Sequence, residues 1–169
     1  LRSSGLQVGR LDARGTGPLA ASREREFEFD PGIEATVAPY TMAAMAYFRE
    51  QLGIEIEQRY ELLNHDAHRG WNWQRNDGQG TPRMGFASTS PDLARALRRN
   101  PNLRVLAASG RYDLGTPYSA SDWSLAQLDV PAEVLARVQH RYYDAGHMMY
   151  TRQADLAKLE ADLTAWLAA

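Results

Sequence analysis

The chain of 169 residues is 44% hydrophobic and 24% charged, the balance of a globular protein long enough to bury a core. Its formal net charge of −2, with both signs interspersed, gives no electrostatic footprint for nucleic acid, and no apolar run approaches the ~18 residues that read as a membrane span. The absence of cysteine rules out disulfides and thiolate sites and leaves the compartment open.

The opening LRSSGLQVGR has neither an initiating methionine nor the basic-then-apolar layout of a signal peptide, and reads as part of a longer polypeptide. The Gly-, Arg- and Glu-rich first ~30 residues are expected to be mostly loop. TVAPYTMAAMAYFREQL then sets Val37, Tyr40, Ala44, Phe48 and Leu52 on one helical face, admits Pro39 only in the first turn, and stops at Gly53. NHDAHRGWNWQRNDGQGTPRMG is polar and glycine-rich, a loop region with Trp71 and Trp73 as its large anchors. In TSPDLARALRRNPN, Ser90 caps a helix, Pro91 takes its first position and Asp92 faces its positive end, and Asn100-Pro101 closes it.

LRVLAASG, residues 103–110, is a short apolar run ending in small residues, the look of a buried parallel strand. TPYSASDWSLAQL predicts a helix and VQHRYYDAG a second strand. The closing ADLAKLEADLTAWL puts Leu156, Leu159, Leu163, Trp166 and Leu167 on one face, with Asp155, Lys158, Glu160 and Asp162 outside it. The C-terminal half thus alternates helix and strand, which argues for an α/β class: a parallel sheet covered by helices. In such sheets the working residues gather at the carboxyl ends of strands.

Two polar groups stand there. Asp113 follows the first strand in ASGRYDLGTP and His147 follows the second in YYDAGHMMY, and the spacing of 147 − 113 = 34 residues admits one helical crossover between parallel neighbours. A carboxylate on Nδ1 fixes the imidazole tautomer and stabilises imidazolium, leaving Nε2 to take a proton from a hydroxyl. The order acid then histidine is that of the α/β-hydrolases, whose nucleophile sits upstream in G-x-S-x-G. No such motif occurs here, and Ser4 and Ser109 read as small turn residues.

Other constellations are weaker. Gly15, Gly17 and Ala20 match G-x-G-x-x-A by spacing, but Pro18 interrupts and no βαβ unit surrounds them. His65 and His68 have no third ligand and read as solvated, so no metal and no cofactor is expected. His140 alternates within a strand, packed or exposed.

GRYDLGTPYSASDWSL, then YYDAGHMMY, then an amphipathic helix resembles the end of the serine carboxypeptidases, above all their bacterial branch. VGRLDARGTG, PYTMAAMAYFREQLG, WNW and LARALRRNPNLRVL are similar as well, so the resemblance runs almost end to end. It implies the C-terminal portion of an α/β-hydrolase with part of a helical cap, residues 1–82 belonging to the cap and 83–169 to the core. It also implies that Asp113 is the triad acid, that His147 is the triad base, and that Met148 lines the pocket for the departing residue of a peptide. The partners implied are a peptide C-terminus and an upstream part of the same protein that supplies the serine and oxyanion hole. Periplasmic or secreted location is compatible with that family. By itself the chain is then expected to be inactive and a poor folder. An esterase or acyltransferase on the same triad, or a non-catalytic domain that keeps the scaffold, are the alternatives, because a fold does not choose its chemistry.

Overall fold

The computed structural model describes residues 1–19, 30–55, 60–61, 64–72 and 88–168. In chain order its elements are β1 (Leu6–Val8), β2 (Thr16–Pro18), α1 (Pro31–Ala46), α2 (His65–Gly70), α3 (Ser90–Arg99), β3 (Val105–Gly110), α4 (Tyr118–Ala126), α5 (Ala132–Leu135), β4 (Val138–Tyr143) and α6 (Gln153–Ala168). They divide into two compact units, one of Leu1–Ile33 with Ser90–Ala169 and one of Glu34–Thr89. The class is mixed α/β, with an antiparallel pair β1–β2 and a parallel pair β3–β4.

The first unit is built on β3 and β4. Its larger apolar cluster buries Ala94 and Leu97 of α3 with Leu128, and Val105 and Val138 of the two strands pack against it. Leu97 has no solvent exposure, a burial that contributes roughly 1.5–3 kcal/mol. The helix ends where expected, at Asn100-Pro101, and its last carbonyls are not left bare. Arg137 donates to Leu97 O at 2.7 Å and to the carbonyls of Asn100 and Pro101 at 2.8 Å, which satisfies groups that a helix terminus orphans. Ser90 is the first helical residue rather than the residue before it.

The second cluster lies under α6: Tyr143, Ala145 and Met149, with Leu159 packed on them. The Tyr143 hydroxyl donates to Asp162 at 3.0 Å. Burial first, then that carboxylate partner, pushes its phenol up to about 12. The face expected to be buried on α6 is only partly so. Leu156, Leu163 and Leu167 are exposed, whereas Asp155, expected outside, is the buried residue. Its carboxylate accepts the Asp144 backbone N–H at 3.0 Å and pairs with Arg152 at 3.1 Å, so a local polar demand outweighs the apolar periodicity.

Of the first ~30 residues, expected to be mostly loop, 1–19 and 30 are described, and they carry a 3-10 turn and two three-residue strands between loops. β1 and β2 pair from Leu6↔Pro18 to Val8↔Thr16, and this hairpin holds both Gly15, at its turn, and Gly17, in β2. Ala20, the third member of that weak motif, lies outside the described residues.

Helix α1, which belongs to the second unit from Glu34 onward, begins six residues before Val37, so Pro39 is interior rather than in the first turn. None of its residues is buried, and Tyr40 and Leu52 of the expected stripe are exposed. Gly53, at φ +63°, supplies the left-handed conformation that suits a glycine at the end of this segment. The expected loop after it contains α2, whose first turn is capped by the Asn64 side chain accepting from Ala67 N at 2.8 Å. Trp71 is exposed, not an anchor, and Trp73 lies outside the described residues. Among the described residues no helix is long and apolar enough to cross a membrane.

Candidate functional site

Parallel pairing in the register Val105↔Val138 through Gly110↔Tyr143 sends both strands out at one edge of the sheet. The two loops that follow continue the ladder briefly, Arg111 N bonding Tyr143 O and Tyr112 N bonding Ala145 O, each at 3.0 Å. Gly110 is required here: a Cβ on it would collide with the carbonyl oxygens of Ala145 and Gly146.

The N-terminal segment then straps both loops. Leu114 N donates to Arg10 O at 2.9 Å, Ala13 N to Tyr112 O at 2.9 Å, and His147 N to Leu11 O at 2.7 Å. A side chain on Gly146 would strike Leu11 O and the Asp12 side chain. Arg14 closes the strap by donating to Asp144 O at 2.7 Å while pairing with Asp12 and lying 4.6 Å from the centre of the Tyr112 ring. Asp30 secures the other side, accepting from Arg10 N at 2.7 Å.

On this frame the Asp113 and His147 side chains meet. Asp113 Oδ2 lies 2.7 Å from His147 Nδ1. The acid is 5% exposed and the imidazole 46%. The other carboxylate oxygen accepts the N–H groups of Gly115 at 2.8 Å and Thr116 at 2.9 Å, and the Thr116 hydroxyl donates to Oδ2 at 2.6 Å. Burial by itself raises the carboxyl pKa. The hydrogen bonds from Thr116, His147 and Gly115 outweigh it and hold Asp113 below the ordinary aspartate value. An ionised Asp113 at this distance places a proton on Nδ1, so Nε2 carries the lone pair. Among the described residues no hydrogen bond engages Nε2. Met148, half-buried beside His147, holds the next turn through its carbonyl, which accepts from Thr151 N and Oγ1.

A second aspartate–histidine pair lies within the same unit. His140 Nδ1 is 2.8 Å from Asp122 Oδ1, and Nε2 is 2.8 Å from Ser109 Oγ. Tyr142 donates to the same Asp122 oxygen at 2.5 Å. Ser109 is therefore not a turn residue: it lies in β3, nearly buried, with its hydroxyl facing His140 across the ladder. The reason is side-chain alternation, which puts Ser109 on the face of the sheet that carries His140. Ser4 does close a turn, at the end of a 3-10 segment, Arg2–Ser4.

His65 and His68 are exposed on α2, and the described residues contain no cluster of metal-ligating side chains. Sequence reasoning missed Thr116 and the Gly9–Gly15 strap. The first had a signal, an Asp followed three residues later by a Thr, which is how aspartate turns satisfy themselves. The strap's ties to the two loops are made mostly by backbone groups, with the Arg14 side chain as the exception, and its segment was noticed only through the family resemblance. Neither a family model, nor a curated protein, nor a solved structure matches this chain.

Proposed function

We propose that this chain supplies the acid–base pair of a serine-type α/β-hydrolase, with removal of C-terminal amino acids from peptides as the reaction. The observation that carries the reading is the Asp113–His147 hydrogen bond at 2.7 Å, with the acid buried and the imidazole open to solvent. In this role Asp113 holds the Nδ1–H tautomer and stabilises imidazolium. His147 takes the proton of an attacking serine through Nε2 and returns it to the leaving amine, and water then repeats the cycle on the acyl-enzyme. Met148, next to the base, would border the pocket of the departing residue.

The resemblance in GRYDLGTP and YYDAGHMMY supports the peptidase assignment. The position of both groups just beyond the carboxyl ends of parallel strands supports the hydrolase assignment. Among the described residues β3 and β4 pair only with each other, which suits a sheet completed by an upstream segment that also brings the serine and oxyanion donors.

The test uses the protein with the upstream segment of its reading frame, a fluorophosphonate serine probe, and peptides with free or amidated C-termini. Labelling with release of the last residue from free C-termini alone supports the reading. Labelling with hydrolysis of esters only would make it an esterase, and folded protein that takes no label would make it a binding domain. His147→Ala should cost several orders of magnitude in turnover and Asp113→Asn about 10⁴-fold.

A further inference from the structure

We infer that Thr116 is a positioning residue: its hydroxyl, lodged between Asp113 and His147, holds the imidazole in the tautomer that leaves Nε2 free to accept a proton. The inference deepens the proposed function and rests on it only for its consequence in turnover. Its geometry stands by itself.

The Thr116 oxygen is 2.6 Å from Asp113 Oδ2 and 3.2 Å from His147 Nδ1. A hydroxyl has one proton and two lone pairs. The shorter contact takes the proton, since the carboxylate oxygen can only accept. The hydroxyl lone pairs are thus left for Nδ1, and that nitrogen meets two acceptors, Oδ2 at 2.7 Å and Oγ1 at 3.2 Å. A bare Nδ1 lone pair would be repelled by both, whereas an Nδ1–H is attracted by both. The threonine therefore adds a second acceptor that disfavours the wrong tautomer, and it also stabilises the charge of the acid that provides the first.

The loop fixes this placement. Thr116 N is tied to Asp113 Oδ1 at 2.9 Å, and Pro117 leads directly into α4. The charged groups of the strap packed on the loop are Arg10, Asp12 and Arg14, and the last two pair with each other. His147 is the titratable side chain bonded to Asp113 among the described residues. Asp155, Arg152 and Asp144 form their own network behind the histidine loop.

The substitution Thr116→Val keeps the shape and removes the hydroxyl, and Thr116→Ser restores the hydroxyl on a smaller side chain. Carboxyl-carbon NMR of Asp113 and ring-nitrogen NMR of His147, recorded on the protein with its upstream segment, read the pair without any turnover. In Thr116→Val the Asp113 titration midpoint should move upward and the fraction of Nδ1-protonated neutral imidazole should fall, and Thr116→Ser should recover both. An unchanged midpoint and tautomer in folded Thr116→Val would overturn the inference. If the valine variant does not fold, the serine variant decides: wild-type values support the role, and values shifted as far as an unbonded aspartate refute it. In protein with its upstream segment, Thr116→Val should lower turnover about tenfold with little change in KM. Shifted NMR signals in a protein with no hydrolytic activity would sink the hydrolase reading and leave the positioning role standing.

Discussion

Two aspartate–histidine pairs occupy one compact unit of this chain, with the same contact and opposite exposure. In the loop-borne pair the acid is 5% exposed and the imidazole 46%, whereas in the sheet-borne pair the imidazole is 8% exposed and the acid 43%. Burying the acid and exposing the ring leaves one imidazole nitrogen with no hydrogen bond among the described residues. Burying the ring between Asp122 and Ser109 uses both nitrogens, so His140 joins α4 to the strands and has no site left for proton transfer. The identity of the residues does not separate the roles. Their placement does: one pair stands on loops beyond the strand ends, the other within the ladder under a helix.

The largest effect on this contrast is expected from Gly146→Ala. Its Cβ would meet backbone at Leu11, which cannot yield cheaply, so the folded state should lose about 3 kcal/mol or somewhat more. The Asp113–His147 bond should weaken with it, while the His140 pair stays intact. Chemical denaturation together with ring-nitrogen NMR of both histidines checks this. Loss of both pairs in equal measure would show that the two regions are one cooperative assembly.

His140→Ala should come next. It removes a ring that two side chains use and leaves the Ser109 hydroxyl nearly buried without that partner, at a cost of about 1–3 kcal/mol. The tautomer of His147 should be unchanged. A displaced His147 signal in this variant would break the separation and show that α4 transmits changes to the acid loop. His65→Ala, on exposed α2, should stay within about 0.5 kcal/mol as the reference.

The smallest effect is on pH dependence. Asp113 is lowered from 3.8, so its contribution is present above that value and is lost as pH falls through its folded value. Tyr143 is raised from 10.0 to about 12, so its contribution is full below pH 10 and is lost as pH rises toward 12. Stability measured across pH should therefore fall at the acid end through the loop carboxylates and at the alkaline end through the sheet. Tyr143→Phe should flatten the alkaline limb at a cost of about 1 kcal/mol near neutrality. An alkaline limb unchanged by that substitution would assign it elsewhere.

The strands and the meeting of Asp113 with His147 were legible because each is written in a local pattern. LRVLAASG is a short apolar run, and Asp113 and His147 each follow such a run at a distance that permits a crossover. The parallel register then brings both loops to one edge of the sheet, where the strap fixes them. What was not legible depends on partners distant in the chain. Asp155 reads as a solvated helix residue until the Asp144 backbone N–H is placed beside it. Ser109 reads as a turn residue until His140 faces it across the ladder. Pro39 inside α1 contradicts the first-turn rule, and the helix begins at Pro31, earlier than the apolar stripe indicates. The Gly9–Gly15 strap is tied mostly by backbone groups, which leave no trace in residue type, and the Arg14 side chain adds the tie to Asp144 O.

That strap has a consequence for how the pair comes into being. The bond from His147 N to Leu11 O links positions 147 − 11 = 136 apart, and the Arg14 contact with Asp144 O spans 130. Ring closure over so much chain is entropically costly and contributes nothing until both ends have met. On a ribosome the Arg14 side of the strap must wait for 130 further residues before its partner at Asp144 has been made. Proteolytic nicking between the strap and β3 would replace a closed loop by two separate pieces, and the geometry at His147 would then depend on how tightly those pieces associate.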